Sequence, residues 1–150
     1  MSTPPSPPLG NLVNVRDFEA VARRTLDPVH YDYIAGGSRD EVTVRANEDG
    51  FARLSLLPRV LSGSAERDLA VSILGTRASM PVLISPTAFH RLVCAEGEIA
   101  TARAAARADA IMIASMASTV AVGEVAAAAR AAAPDREPAL WFQLYLQPDA

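Results

Sequence analysis

Three short apolar segments alternate with two helical patterns in the second half of the chain, and this alternation constrains the fold more than any other feature. The segments cover residues 81–85, 111–115 and 139–146. Their starts lie about 30 residues apart, the length of a strand, a helix and the return to a neighbouring strand. Runs that are apolar on both faces are typical of parallel strands covered on both sides. The predicted fold class is therefore α/β.

Helices are predicted between these strands, over residues 96–109 and 122–133. Right-handed crossovers would bring the carboxyl ends of the strands to one edge, where α/β enzymes place their ligands. Three such strands leave unpaired edges and apolar faces, and a complete (β/α)₈ TIM barrel typically needs about 250 residues. We therefore expect residues 81–150 to be the first three βα units of a barrel whose remainder lies outside this chain.

Helices and a β-hairpin are predicted for residues 14–80, ahead of the barrel. The first helix is expected to have its N-cap at Asn14, and the second to run from Pro28 to the Gly36-Gly37 pair. A third helix should be capped by Ser38 or Asp40 and fade at Gly50. An extended stretch is predicted over residues 51–58, and a hairpin over residues 68–79 that turns at Gly75-Thr76. Residues 1–13 are rich in proline and lack the pattern of a signal peptide, so they are predicted to be a disordered tail.

The composition argues against several classes of protein. Half of the 150 residues are hydrophobic and 21% are charged, which is typical of a globular protein. The net charge of -3 and the pI near 5.3 argue against a nucleic-acid-binding surface. Cys94 is the single cysteine, which excludes an internal disulfide framework and indicates the cytoplasm. No apolar run reaches the length of a membrane span, and no metal site is predicted.

Several motifs in order resemble one enzyme family. They are Tyr-Asp-Tyr-Ile-Ala-Gly-Gly at 31–37, Asn47 with Phe51 and Leu-Pro-Arg at 57–59, Pro-Val-Leu-Ile-Ser-Pro-Thr-Ala at 81–88, Glu-Gly-Glu at 96–98, Ala-Thr-Ala-Arg-Ala-Ala at 100–105, and Phe-Gln-Leu-Tyr at 142–145. Together they resemble the FMN-dependent α-hydroxy acid oxidases and dehydrogenases, which include the glycolate, lactate, mandelate and hydroxymandelate enzymes. The resemblance covers residues 14–147 and implies oxidation of a 2-hydroxy acid to a 2-oxo acid.

The resemblance also implies which residues hold FMN. Pro86, Thr87 and Ala88 match the loop whose backbone lies against the flavin, where an N–H near flavin N5 would favour the reduced cofactor. Gln143 matches the amide that hydrogen-bonds the pyrimidine edge of the ring. Tyr145 matches a tyrosine beside both flavin and substrate, where its hydroxyl stabilises charge on the substrate oxygen. Two residues apart on a predicted strand, Gln143 and Tyr145 should point to the same side.

Tyr33 matches the family tyrosine that hydrogen-bonds the substrate carboxylate, whereas Tyr31 is expected to pack against its helix. Met116 stands where the family usually has a hydroxyl residue, so either Ser115 replaces that contact or the contact is lost. Cys94 is interpreted as a small buried hydrophobe, and His90 as a loop residue that could also line the mouth of the barrel.

The family's histidine base, its carboxylate-binding arginines and its flavin-supporting lysine match no residue of this chain. The chain alone is therefore expected to be inactive, and to need the C-terminal half of the barrel, covalently continuous or as a separate chain. A homo-oligomer is expected from the resemblance. Two alternatives stay open: an isomerase on a related FMN barrel, and a non-catalytic barrel fragment that serves as a binding or assembly module.

Overall fold

The computed structural model describes residue 10, residues 12–61, residue 63 and residues 66–146. Most of the predicted tail, residues 1–13, lies outside the described residues. The chain forms two compact units, residues 1–60 and residues 61–150. The hairpin that was predicted as part of an N-terminal segment ending at residue 80 belongs to the second unit. The domain boundaries of the sequence analysis stay predictions.

The described residues of the first unit form three α-helices, of which the first two begin near their predicted positions. Helix α1 spans Asp17–Thr25 and α2 spans Pro28–Ala35. The N-cap of α1 is Arg16 rather than the predicted Asn14. The Asn14 side chain accepts the Asp17 N–H at 3.1 Å and closes the turn before the helix. The Asp27 carboxylate caps α2 by accepting the Val29 N–H at 2.9 Å, and α2 ends at Gly36, as predicted.

The third helix differs from the prediction at both ends. Helix α3 spans Val42–Ala52, and its N-cap is Glu41 rather than Ser38 or Asp40. A tight turn causes this shift, because Arg39 and Glu41 both have positive φ and the Glu41 N–H donates to the Ser38 carbonyl. The helix continues through Gly50, so residues 51 and 52 are helical and the predicted extended stretch is wrong there. Residues 54–59 adopt no regular secondary structure.

The hairpin of the second unit is confirmed, with its turn one residue earlier than predicted. Strand β1, Val71–Ile73, pairs with the antiparallel strand β2, Thr76–Ala78. The two turn residues are therefore Leu74 and Gly75, with φ of 49° and 78°. Positive φ at both central residues is the geometry of a tight turn that matches the twist of the strands, and glycine adopts it without steric cost. Thr76 is already part of β2.

Two parallel strands and two helices follow the hairpin, as the alternating pattern predicts. Their bounds are Glu98–Arg107 for α4, Met112–Ser115 for β3, Val122–Ala132 for α5 and Leu140–Gln143 for β4. Strands β3 and β4 are in register from Met112 opposite Leu140 to Ser115 opposite Gln143. The predicted third strand, residues 139–146, is thus half as long as expected.

The predicted first strand, residues 81–85, is reduced to a single parallel bridge between Ile84 and Met112. The Ile84 N–H donates to the Ile111 carbonyl at 2.9 Å, and the Ile113 N–H donates to the Ile84 carbonyl at 3.0 Å. The segment therefore lies beside β3 as expected, but it does not form a regular ladder. Pro81 and Pro86 at its two ends have no N–H to donate, which limits pairing to the middle.

The core lies between the β3–β4 sheet and helices α4 and α5. It consists mainly of small side chains: Ala102, Ala105, Ala106, Met112, Val120, Val125, Ala129 and Ala133. Alanine on the facing sides of α4 and α5 lets these helices pack closely, because interaxial distance depends on side-chain size. Met112 belongs to this core, so the alternate residues Ile113 and Ser115 point to the opposite face of the sheet. Among the described residues, no helix is both long and apolar enough to cross a membrane.

Candidate functional site

The carboxyl ends of the parallel segments come together at one edge of the second unit, called the rim here and comprising residues 85–90, 115–121 and 143–145. The Met116 N–H donates to the Gln143 carbonyl at 3.1 Å, which joins the ends of β3 and β4. The Phe89 N–H donates to the Ala117 carbonyl at 3.1 Å, which joins the first loop to the second. The structure therefore places the predicted cofactor-binding residues Ala88 and Gln143 at the same edge.

The first rim loop carries the three residues predicted to approach the flavin. Thr87 is exposed, whereas Pro86 and Ala88 are partly buried. Within the described part of the chain, the N–H groups of Thr87 and Ala88 donate to no other group, although the next N–H, that of Phe89, is paired. Phe89 has a φ of 55°, which turns the chain away after these two residues. Two adjacent N–H groups are thus available to a ligand with a hydrogen-bond acceptor.

Gln143 is the last residue of β4 and lies on the sheet face opposite the helices. Its register partner is Ser115, and parallel partners point to the same side. Trp141, two residues earlier on the same face, donates its indole N–H to the Thr76 hydroxyl at 3.2 Å, so this face also contacts the hairpin. The Gln143 amide makes no hydrogen bond to any other described residue and is partly exposed. An amide in this state can offer a donor and an acceptor to a ligand.

Tyr145 lies outside the strand on which it was predicted. Because β4 ends at Gln143, the alternation that would orient Tyr145 with Gln143 does not apply. Tyr145 is 52% exposed, and its neighbours Leu144 and Leu146 are exposed as well. Tyr145 lies at the rim, two residues beyond the end of β4. The role of Tyr145 in binding flavin and substrate stays a prediction.

Tyr31 and Tyr33 lie two residues apart on α2 and have different surroundings. The Tyr31 hydroxyl donates to Glu19 at 3.0 Å, and this hydrogen bond raises the pKa of Tyr31. The Arg23 guanidinium lies 5.5 Å from the centre of the Tyr31 ring, so Tyr31 packs against α1. Tyr33 is 53% exposed, roughly 200° further round the helix. Binding of a substrate carboxylate by Tyr33 stays a prediction.

Ser115 is buried beneath the second rim loop. Its hydroxyl oxygen accepts the Ala117 N–H at 3.1 Å, while its carbonyl accepts both the N–H and the hydroxyl of Ser118. Ser115 lies on the same face as Gln143, whereas Met116 is exposed at the rim. Ser115 is therefore the hydroxyl residue that lies beside Gln143, at a position where the sequence analysis left two alternatives open.

His90 and Cys94 lie in the segment before α4, and the sequence analysis interpreted both. His90 was interpreted as a loop residue, but it begins a short 3₁₀ helix, His90–Leu92, and its ring Nδ1 lies 3.1 Å from the Thr101 hydroxyl. Cys94 was interpreted as a buried hydrophobe, but the structure shows it exposed. The segment around it is a series of turns between the rim and α4, so its small side chain does not reach the alanine core.

Glu98 is the functional candidate that sequence reasoning missed. Its side chain is fully buried, and its carboxylate accepts the His90 N–H at 3.2 Å, the Thr119 N–H at 2.8 Å and the Thr119 hydroxyl at 2.7 Å. Burial acts to raise the pKa of Glu98, but the hydrogen bonds from Thr119, His90 and its own backbone outweigh burial and lower it to about 2. Glu98 is therefore ionised and holds two rim loops together.

No sequence signal separated Glu98 from Glu96, since both belong to one Glu-Gly-Glu motif. Glu96 forms an exposed ion pair with Arg103. The intervening Gly97 has a φ of 58°, and a Cβ there would lie 2.9 Å from Arg91 Cγ and 3.2 Å from the Thr119 hydroxyl. Glycine at this position thus lets Thr119 approach Glu98.

The comparisons with known proteins agree on one family. The family model described as FMN-dependent dehydrogenase matches residues 22–150. Glycolate oxidase 1 of Zea mays is 37% identical over 142 residues, 94% of this chain and 36% of that protein. The peroxisomal (S)-2-hydroxyacid oxidase GLO4 of Arabidopsis thaliana is 41% identical over 82% of this chain and 34% of its own length. The crystal structure of a mandelate oxidase matches with a TM-score of 0.79 and 35% identity, over 91% of this chain and 38% of that one.

Proposed function

Because this chain belongs to the FMN-dependent dehydrogenase family, we propose that it is the N-terminal part of an enzyme that uses FMN to oxidise a 2-hydroxy acid to a 2-oxo acid. The chain spans about a third of the length of the curated relatives that it matches. The histidine base and the arginines that bind the substrate carboxylate would lie in the remainder of a (β/α)₈ barrel. That remainder is either continuous with this chain or a separate chain.

One observation carries the proposal: unpaired polar groups of the first loop and of β4 lie at the same edge. The N–H groups of Thr87 and Ala88 would meet the reactive side of the flavin ring, and the Gln143 amide would bind its pyrimidine edge. When bound, FMN supplies a two-electron acceptor for oxidation of the substrate carbon. Pro86 and Ala88 add little bulk, so the backbone can approach a flat ring closely.

Tyr145 and Tyr33 would act on the substrate. The Tyr145 hydroxyl would donate a hydrogen bond to the substrate oxygen and stabilise the charge that develops there. The Tyr33 hydroxyl would donate to the substrate carboxylate. Ser115 would take the place of the hydroxyl that Met116 lacks, because it lies opposite Gln143 in the register. Its oxygen already accepts from Ala117, so its own proton is the group that it can offer to a ligand.

Titration with FMN tests the cofactor site. The chain is combined with the remainder of the barrel, and binding is followed by flavin absorbance and fluorescence. Gln143→Leu should weaken FMN binding by about tenfold, because it removes both hydrogen-bonding groups at little change in volume. Glu124→Gln, an exposed change in the first turn of α5, is the matched control and should have no effect. Colourless protein in the presence of the complete barrel would overturn the proposal.

Anaerobic reduction tests the reaction class. The visible absorbance of the bound flavin should bleach on addition of glycolate, lactate or mandelate, since the substrate then reduces the cofactor without oxygen to reoxidise it. Tyr33→Phe should weaken the apparent affinity for the 2-hydroxy acid, and unchanged affinity would favour the isomerase alternative. A flavoprotein that stays oxidised with all three acids would contradict the proposed oxidation.

Location and assembly belong to the same proposal. We propose a cytoplasmic homo-oligomer that acts on a small 2-hydroxy acid, on the basis of composition and family. One relative is named peroxisomal, so fractionation of cells that express this protein is the direct test of its location. Gel filtration with light scattering tests its assembly.

A further inference from the structure

We infer that Glu98 is a positioning residue whose buried carboxylate sets the geometry of the two rim loops that face the cofactor. The part of this inference that concerns the flavin rests on the proposed function. The part that concerns the loops rests on the contacts of the chain alone. Glu98 itself lies beneath the rim, so it acts through the loops that it binds.

The carboxylate receives hydrogen bonds from both loops at once. Its Oε1 atom accepts the N–H of His90, two residues after Ala88, and the N–H of Thr119, in the loop after β3. Its Oε2 atom accepts the Thr119 hydroxyl at 2.7 Å. Hydrogen bonds to an ionised acceptor are stronger than those between neutral groups, and burial strengthens them further. One side chain on α4 thus fixes the spacing between the loops.

Thr119 is the second half of this arrangement. While its hydroxyl donates to Glu98, the same oxygen accepts the Arg91 N–H at 3.4 Å. The first loop therefore contacts Glu98 directly through His90 and indirectly through Arg91 and Thr119. The hydrogen bond from the Phe89 N–H to the Ala117 carbonyl joins the same two loops on the ligand side. The unpaired N–H groups of Thr87 and Ala88 lie immediately before this connection.

Loss of the carboxylate should free the loops locally. In Glu98→Ala, the N–H groups of His90 and Thr119 lose a buried acceptor, which favours opening of both loops. Glu98→Gln keeps one oxygen that can accept both N–H groups, so its effect should be smaller. Thr119→Val removes only the hydroxyl at nearly constant shape, and Thr119→Ser retains it. Glu96→Ala is the matched control, because it removes a carboxylate from the same motif that is exposed at the surface.

Amide hydrogen exchange measured on the chain as it exists tests the connection between the loops. Exchange at His90 and Thr119 should become about tenfold faster or more in Glu98→Ala. Thr119→Val should show the same direction, Thr119→Ser should resemble the parent chain, and Glu96→Ala should leave both amides unchanged. Unchanged exchange at the amides of residues 90 and 119 in a folded Glu98→Ala or Thr119→Val chain would overturn the inference.

The visible circular dichroism of bound FMN tests whether the loop geometry set by Glu98 affects the cofactor. In the assembled barrel with FMN, visible circular dichroism of the flavin should change in Glu98→Ala and Thr119→Val and be restored in Thr119→Ser. If the parent binds FMN and its flavin spectrum is identical in all variants, Glu98 serves stability only, and the inference is wrong while the proposed function stands. If the parent takes up no FMN, the proposed function fails, and the exchange measurement still decides whether Glu98 positions the loops.

Discussion

The contacts within the first unit differ in kind from the contacts within the second. Helices α1, α2 and α3 of the first unit have no buried residue, and their polar contacts are exposed, such as the ion pair between Arg16 and Glu48. In the second unit, α4 and α5 bury six residues between them, and one of these is the ionised Glu98. Buried contacts are worth several times more than exposed ones. Stability should therefore depend mainly on the second unit.

The largest expected effect comes from the core of the second unit. Ile111 is fully buried immediately before β3, and Ile111→Ala should lower the free energy of unfolding by about 2–5 kcal/mol, because it leaves a cavity. Leu57→Ala in the first unit, where the side chain is 90% exposed, should change it by less than about 0.5 kcal/mol. Urea unfolding followed by circular dichroism, which reports on the helices of both units, measures both. Equal losses in the two variants would contradict the comparison.

The pH dependence of stability should come next in size. The pKa of Glu98 is lowered from 4.5 to about 2, so the folded state gains stability while Glu98 is ionised. This gain is complete above pH 4.5 and is lost as the pH falls through 2, and linkage makes it roughly 3 kcal/mol. The stability difference between the parent and Glu98→Gln should therefore shrink between pH 6 and pH 2. Unfolding curves at several pH values measure it, with Glu96→Gln as the control that keeps the parent's profile.

A smaller effect is expected at Gly97. Alanine there would have a φ near 58° and a Cβ close to Arg91 and Thr119, so Gly97→Ala should cost about 1–3 kcal/mol. Gly123→Ala in the first turn of α5 is the matched substitution, since nothing lies within 4 Å of the added methyl. It should be neutral or stabilise by about 0.5–1 kcal/mol. Thermal unfolding distinguishes the two, and similar behaviour of both variants would show that the Glu98–Thr119 contact tolerates displacement.

The smallest effect is expected in the first unit. Arg16→Ala removes the exposed ion pair with Glu48 and should cost at most about 1 kcal/mol, with the loss reduced further by salt. Urea unfolding followed by circular dichroism at low and high salt measures it. A loss comparable to that of Ile111→Ala would mean that surface contacts stabilise the first unit more than its burial suggests.

Local signals account for most of the secondary structure that was predicted correctly. Pro28 and the Gly36-Gly37 pair bound α2, and the spacing of apolar segments located α4, β3, α5 and β4 to within a few residues. Errors occurred where tertiary contacts decide the outcome. Between its two prolines, the segment around Ile84 pairs with β3 only through the bridge from Ile84 to Met112. Tyr145 lies outside β4, because that strand ends at Gln143. The length of a strand depends on the hydrogen-bond partners that the neighbouring strand offers, and the residues of the strand itself do not determine those partners.

The amino-acid sequence by itself determined the order of helices and strands and the common edge on which Ala88 and Gln143 lie, because periodicity and chain direction are local properties. Its motifs, taken in order, indicated the family. Only the tertiary structure decided which of two glutamates in one motif is buried. Glu96 and Glu98 have the same chemistry, and they differ because Glu96 lies in the turn before α4 and pairs with Arg103 at the surface, whereas Glu98 begins α4 and faces Thr119. Burial and hydrogen bonding arise from distant residues brought together by folding, and these determine the charge and the role of Glu98.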